Sequence, residues 1–173
     1  MSATYRARQF VQALGSWFQP ANAGEEWARR YLPAEALNLY RAMGRYDRRH
    51  GLRVAHSLLE KGHNHPDLLA AALLHDAGKT VAQAGKLRLG HRVAIVLLRA
   101  VQPDLVARLG QDDRKGWRRA FFVQQHHADL GAELACRVGC SAQTVALIQS
   151  HKDPMHPEDD ALLAALKAAD NAN

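Results

Sequence analysis

The sequence predicts an all-α helical bundle, and three observations carry that expectation. Apolar residues recur with helical spacing almost throughout. No stretch of strand length alternates strictly between apolar and polar residues. Proline and glycine fall where helices start and stop. The spacing places helices near 4–18, 23–31, 34–43, 46–62, 66–77, 90–100, 103–110, 115–127, 129–138, 142–152 and 158–171.

Taken in order, Pro33, Pro66 and Pro103 suit first helical turns, where the missing N–H costs nothing. Gly62, Gly78 and Gly139 suit C-terminal stops. Ser141 is a good N-cap, and Glu158, Asp159 and Asp160 put acids in a first turn, where the helix dipole favours them. Residues 79–90 and 110–116 read as loops, the second charged and solvated. The Leu and Ala stripes over 66–75 and 161–169 are core faces.

A chain of 173 residues, 47% of them hydrophobic, can bury one sizeable core. Lys and Arg number 23 against 17 Asp and Glu, giving a net charge of +6. That sign favours anionic partners such as phosphoesters and nucleotides. The two cysteines, Cys136 and Cys140, exclude a disulfide framework and read as buried, reduced thiols. The N-terminus shows no secretory h-region, and the apolar runs near 68–74 and 93–98 are too short to span a bilayer. A cytoplasmic protein without membrane contact is expected. The Arg-rich stretches Arg45–Arg53 and Arg114–Arg119, with Tyr46 and Trp117, read as solvated helix faces, so nucleic-acid binding is not expected.

The chemistry centres on His75-Asp76, at the end of the apolar run and followed by Ala77-Gly78-Lys79. An adjacent imidazole and carboxylate at a helix end can reach metal ions from one rigid point. Among ten His residues, His50 and His75 flank the turn near residue 64 at similar distances, 14 residues before it and 11 after. His127 and His151 do the same about residue 140, at 13 and 11 residues. In antiparallel hairpins each pair sits at one height, because rise per residue is constant. Packed together, the two hairpins can surround one cavity with four imidazoles and Asp76. Imidazole suits iron, zinc, manganese and cobalt, and a carboxylate can bridge two cations. Two cations about 4 Å apart can activate water and stabilise a departing oxygen. Lys79 can neutralise a phosphate oxygen. His63 and His65 read as solvated, His56 faces away from His50, His91 suits a cap or a phosphate contact, and His156 lies in a loop. Spacing does not choose between His126 and His127.

The ordered motifs resemble the HD-domain superfamily of metal-dependent phosphohydrolases. His50-Gly51-Leu52-Arg53-Val54-Ala55 is similar to its first ligand helix. Leu68 to Lys79 resembles its central signature, His127 to Leu134 its His-x-x-x-Gly element, Val145 to His151 the next ligand helix, and Leu166 to Asp170 the final Ala-Asp. No Gly-Tyr-Pro element follows His151. The resemblance implies residues 45–173 as an HD phosphohydrolase domain; residues 1–44 match no part of it and are expected to form an N-terminal helical extension packing on the core. It implies His50, His75, Asp76 and Asp170 around one divalent metal, with Asp76 bridging to a second held by His127 and His151. Asp170 is assigned by resemblance only, since the hairpin spacing does not place it. Asp76 and Lys79 would serve catalysis, with Lys79, Arg49, Arg53 and Arg92 contacting substrate. The implied cofactor is a pair of Fe, Mn, Co, Zn or Mg ions, and the implied substrate a phosphorylated small molecule, a nucleotide or dinucleotide. Two other readings share these residues: an HD-type diiron oxygenase and a non-catalytic nucleotide-binding module.

Overall fold

The structure, a computed structural model, describes residues 24–80 and 119–173, the side chains of Arg119 and Ala120 excepted. The helices expected over 4–18, 90–100 and 103–110 lie outside these residues, as do Arg92, His91, Arg114–Arg118 and residues 1–23 of the extension. Seven α-helices and a short 3₁₀ turn are described, with no strand among the described residues.

Two short helices come first, α1 (Glu25–Ala28) and α2 (Ala34–Ala42). Ala28, Leu32, Ala36, Leu37, Tyr40 and Met43 join the same buried core as the helices that follow. Helix α3 (Arg45–Glu60) and α4 (Pro66–Leu74) form the first hairpin. Helices α5 (Arg119–Arg137) and α6 (Ala142–Ser150) form the second. Helix α7 (Ala161–Ala172) packs against α3, α4 and α6.

Both hairpins turn through the same device. Gly62 has φ 85° and Gly139 has φ 76°, left-handed conformations that a side chain would strain. The N–H of His63 donates to Leu58 O at 2.9 Å and that of Gly62 to Leu59 O at 2.9 Å. The N–H of Cys140 donates to Ala135 O at 3.0 Å and that of Gly139 to Cys136 O at 3.1 Å. These crossed pairs satisfy carbonyls that the helix ends would otherwise leave open. Asp67 ties the two turns together: Ser141 Oγ donates to its carboxylate at 2.7 Å, and Thr144 Oγ1 to its backbone O at 3.3 Å.

Helix α4 is apolar on every side, and Leu68 through Leu74 are all buried. Each of its leucines contributes about 1.5–3 kcal/mol through removal from water. It is the central strut on which α3, α6 and α7 pack.

Four expectations are corrected. The helices placed at 115–127 and 129–138 are one helix, because nothing in the sequence near residue 128 breaks the backbone ladder. Gly78 is not a left-handed stop. It sits in the 3₁₀ turn Ala77–Lys79, where a Cβ would stand 2.0 Å from His127 O, so α5 can approach only a glycine there. The acids 158–160 precede the last helix: Asp160 caps it, accepting from the Leu163 N–H at 2.8 Å, and Asp159 pairs with buried Lys167 at 2.8 Å. Cys136 is exposed and Cys140 half-buried, because both lie at the outer end of the second hairpin.

Candidate metal centre

Four imidazoles meet at the end of the bundle opposite the hairpin turns. Ring centroids lie 5.1 Å apart for His50 and His75, 5.0 Å for His75 and His151, and 5.5 Å for His127 and His151. His50 projects from α3, His127 from α5, and His75 and His151 from the first residues after α4 and α6. Close backbone approach makes this possible. A Cβ on Gly51 would stand 2.8 Å from Leu73 O, so α3 meets α4 beside His50 and His75. Gly131 presents its bare face to Gly78, whose N would lie 3.2 Å from an added Cβ. That contact seats the turn carrying Asp76 on the helix carrying His127.

Three of the rings are held in one tautomer. Nδ1 of His75 lies 2.9 Å from Ala72 O, Nδ1 of His127 2.9 Å from Gln124 O, and Nδ1 of His151 2.6 Å from Ile148 O. A carbonyl oxygen only accepts, so each Nδ1 carries a proton, and in the neutral ring Nε2 presents the lone pair. These Nε2 atoms are buried and have no hydrogen-bond partner. Buried polar atoms are rarely left so. A backbone carbonyl on Nδ1 with Nε2 turned inward is the usual posture of a metal-ligating histidine.

Two carboxylates complete the cluster. Asp170 Oδ1 lies 2.8 Å from His50 Nε2 and 3.5 Å from His75 Nε2. The oxygens of Asp76 face different partners: Oδ1 is 3.6 Å from His127 Nε2, while Oδ2 is 3.7 Å from His75 Nε2 and 2.6 Å from Lys79 Nζ. Two triads can each hold a metal ion, His50–His75–Asp170 and His75–Asp76–His151, with ligand atoms within 4.8 Å of one another. His75 belongs to both, whereas the resemblance implied Asp76 as the shared ligand. His127 stands beside the second triad, its Nε2 3.6 Å from Asp76 Oδ1.

Electrostatics divide the cluster. Burial lowers the pKa of His75, but the Asp76 and Asp170 carboxylates outweigh it and raise the value to about 8. Burial, helped by Lys79, pulls His127 down to about 4. Burial, helped by His75, pulls His151 down to about 3. Burial opposes the charge of both carboxylates, yet the surrounding cations keep Asp76 and Asp170 well below the usual carboxylate range. Burial likewise opposes the charge on Lys79, and Asp76 overcomes it and raises the ammonium above its ordinary value.

The remaining candidates sort clearly. Lys79 bonds Asp76 directly and so reaches the cluster. Arg49 and Arg53 lie half-buried on the same side of α3 as His50, together with Tyr46, whose ring lies parallel to that of His50 at 6.4 Å. The solvated face expected for Arg45–Arg53 is thus partly turned inward, because the face carrying His50 also packs on the protein. Tyr46 is the residue that spacing could have found, four positions before His50. His126 packs against Phe122 with ring centroids 4.5 Å apart, outside the cluster, and His56 against Trp27 at 4.8 Å, both pairs tilted. His65 and His156 are exposed, and His63 is half-buried. No helix among the described residues is long and apolar enough to cross a membrane. Comparison with protein-family models, curated proteins and solved structures returns no match for this chain.

Proposed function

We propose that this chain is a metal-dependent phosphohydrolase of the HD type, cleaving a phosphoester or phosphoanhydride of a nucleotide or dinucleotide. One observation carries the reading: three buried imidazoles locked as Nδ1–H tautomers, with unpartnered Nε2 atoms turned toward two ionised carboxylates. A purely structural core would satisfy or replace such atoms.

His50, His75 and Asp170 would hold one divalent cation, and Asp76, His127 and His151 the other. The nitrogen-rich donor set suits Fe, Mn, Co or Zn better than Mg. Bound cations supply an activated water and charge stabilisation at phosphorus. Asp76 orients the centre, since its two oxygens face the two halves. Lys79 is held protonated beside Asp76, so it serves as a hydrogen-bond donor to a phosphate oxygen and not as a base. Basic Arg49 and Arg53 on the adjoining helix face suit the anionic substrate. A cytoplasmic setting, where exposed thiols such as Cys136 stay reduced, completes the proposal.

Elemental analysis of the purified protein, with phosphate release across a panel of nucleotides and dinucleotides, tests this reading. Bound transition metal and turnover that vanishes in Asp76→Ala are expected. Oxygen uptake coupled to C–C or C–P cleavage would replace it with a diiron oxygenase. Tight nucleotide binding without turnover of any panel member would replace it with a regulatory module.

A further inference from the structure

Beside the cation cluster, on the same face of α3, stands a charged group with one edge that meets no acceptor among the described residues. Arg53 is half-buried, and its Nε and Nη2 are both buried without a hydrogen-bond partner. These are the two nitrogens on one edge of the guanidinium, the fork that grips two oxygens of a single phosphate or carboxylate. A guanidinium does not escape burial by losing its proton. Each buried N–H left without an acceptor costs about 1–3 kcal/mol. Among the described residues, the charges felt by Arg53 are those of Tyr46 and Arg49, and neither supplies a carboxylate.

The position of this fork relative to the imidazoles follows from α3. Tyr46, His50 and Arg53 are spaced four and three residues apart, so they share one helix face. The Tyr46 ring lies parallel to His50, its planes 6° apart. Its hydroxyl lies within electrostatic reach of Lys79 and Asp76 in the cation cluster and of Arg53. Arg53 is set about 4.5 Å of helix rise beyond His50. An offset of that size lets Arg53 hold a second anion beside one at the cations.

We infer that Arg53, with Tyr46, lines a second anion subsite, and that the substrate carries at least two adjacent phosphates, as in a nucleoside di- or triphosphate or a phosphate-bridged dinucleotide. The inference rests on the reading of the imidazole cluster as a cation site for phosphate chemistry and narrows its substrate to phosphoanhydrides. The first phosphate sits at the cations beside Lys79. The next accepts two hydrogen bonds from the Arg53 fork and one from the Tyr46 hydroxyl. A lone phosphomonoester leaves the fork unfilled and binds more weakly.

The test is calorimetric titration of the full chain, loaded with manganese, with inorganic phosphate and with pyrophosphate. Metal content is measured before and after each titration. Wild type should bind pyrophosphate at least about tenfold more tightly than phosphate. Arg53→Met should bring that ratio close to one while keeping the metal content. Arg53→Lys, which retains charge and volume but loses the fork, should retain only part of the ratio, and Tyr46→Phe should lower it about threefold. Thermal unfolding of each variant separates misfolding from lost recognition, and Arg53→Lys decides the matter where Arg53→Met fails to fold. A metal-loaded wild type with equal affinity for the two anions, or a ratio unchanged in folded arginine variants, overturns the subsite and leaves the cation site standing. A chain that takes up no metal yet binds pyrophosphate through Arg53 overturns the cation reading and leaves the subsite standing.

Discussion

The two helical hairpins close with the same crossed glycine turns and carry their histidines at matching heights, yet they deliver different chemistry. The first hairpin brings His50 and His75 among carboxylates, and His75 is driven toward its charged form, with a pKa of about 8. The second buries His127 and His151 with Lys79 and His75 as charged neighbours, and burial above all lowers their pKa values to about 4 and 3. The hairpins are alike in backbone and unlike in electrostatics because neither carboxylate comes from a hairpin's paired faces. Asp76 leaves the end of α4 on the 3₁₀ turn, and Asp170 arrives from α7. Elements outside the paired helices, a 3₁₀ turn and α7, decide which imidazole compensates which charge.

Removing Asp76 should have the largest effect, since it faces both halves. Asp76→Ala is expected to abolish metal uptake, measured by elemental analysis. It should also destabilise the metal-free fold by about 3–5 kcal/mol, read from denaturant unfolding, because Lys79 loses its buried partner. Retention of both metal and stability would show that Asp76 does not join the halves.

The halves should also come apart. Asp170→Asn is expected to remove one equivalent of metal and His151→Ala the other, each leaving the second equivalent bound. Loss of both equivalents in either variant would mean that shared His75 couples the triads into one site.

Gly78→Ala tests the seating of the turn on α5. The added methyl would press on His127 O, so about 1–3 kcal/mol of stability should be lost, together with metal affinity. Unfolding curves and metal titration on the same sample read the two losses.

The electrostatic contrast predicts a pH dependence. Metal binds neutral imidazole, and His75 becomes neutral only as pH rises through about 8. Metal affinity should therefore rise with pH, by up to about tenfold per unit below 8, and level off above it. His127 and His151 are already neutral above about pH 5 and add no slope there. Competition titrations with a chelator between pH 6 and 9 measure this, and a flat profile would remove the difference between the halves.

The smallest effect belongs to the far end of the bundle. Ser141→Ala deletes the cap that accepts from the Thr144 N–H at 3.0 Å and should cost about 1 kcal/mol with metal binding unchanged.

Much of this was legible in the sequence. Helical periodicity, the Pro66 start and the glycine stops at 62 and 139 determine the two hairpins, because these are local preferences of the backbone. Counting residues from each turn places His50 level with His75 and His127 level with His151, since rise along a helix is constant. The single helix over Arg119–Arg137 escaped because its amphipathic pattern weakens near residue 128 without any breaker. The convergence of the hairpins was open to inference but not to proof. It depends on Gly51, Gly78 and Gly131, whose value lies in the neighbour they admit rather than in their own conformation.

By itself, then, the chain determined its helices, their turns and the heights of its imidazoles, all of which follow from residue types and their spacing. Tertiary structure alone decided that Asp170 meets His50, that His75 stands in both triads, that Lys79 holds Asp76, and that Tyr46 and Arg53 turn inward. Distances and dielectric surroundings between segments far apart in sequence exist only once the segments have packed.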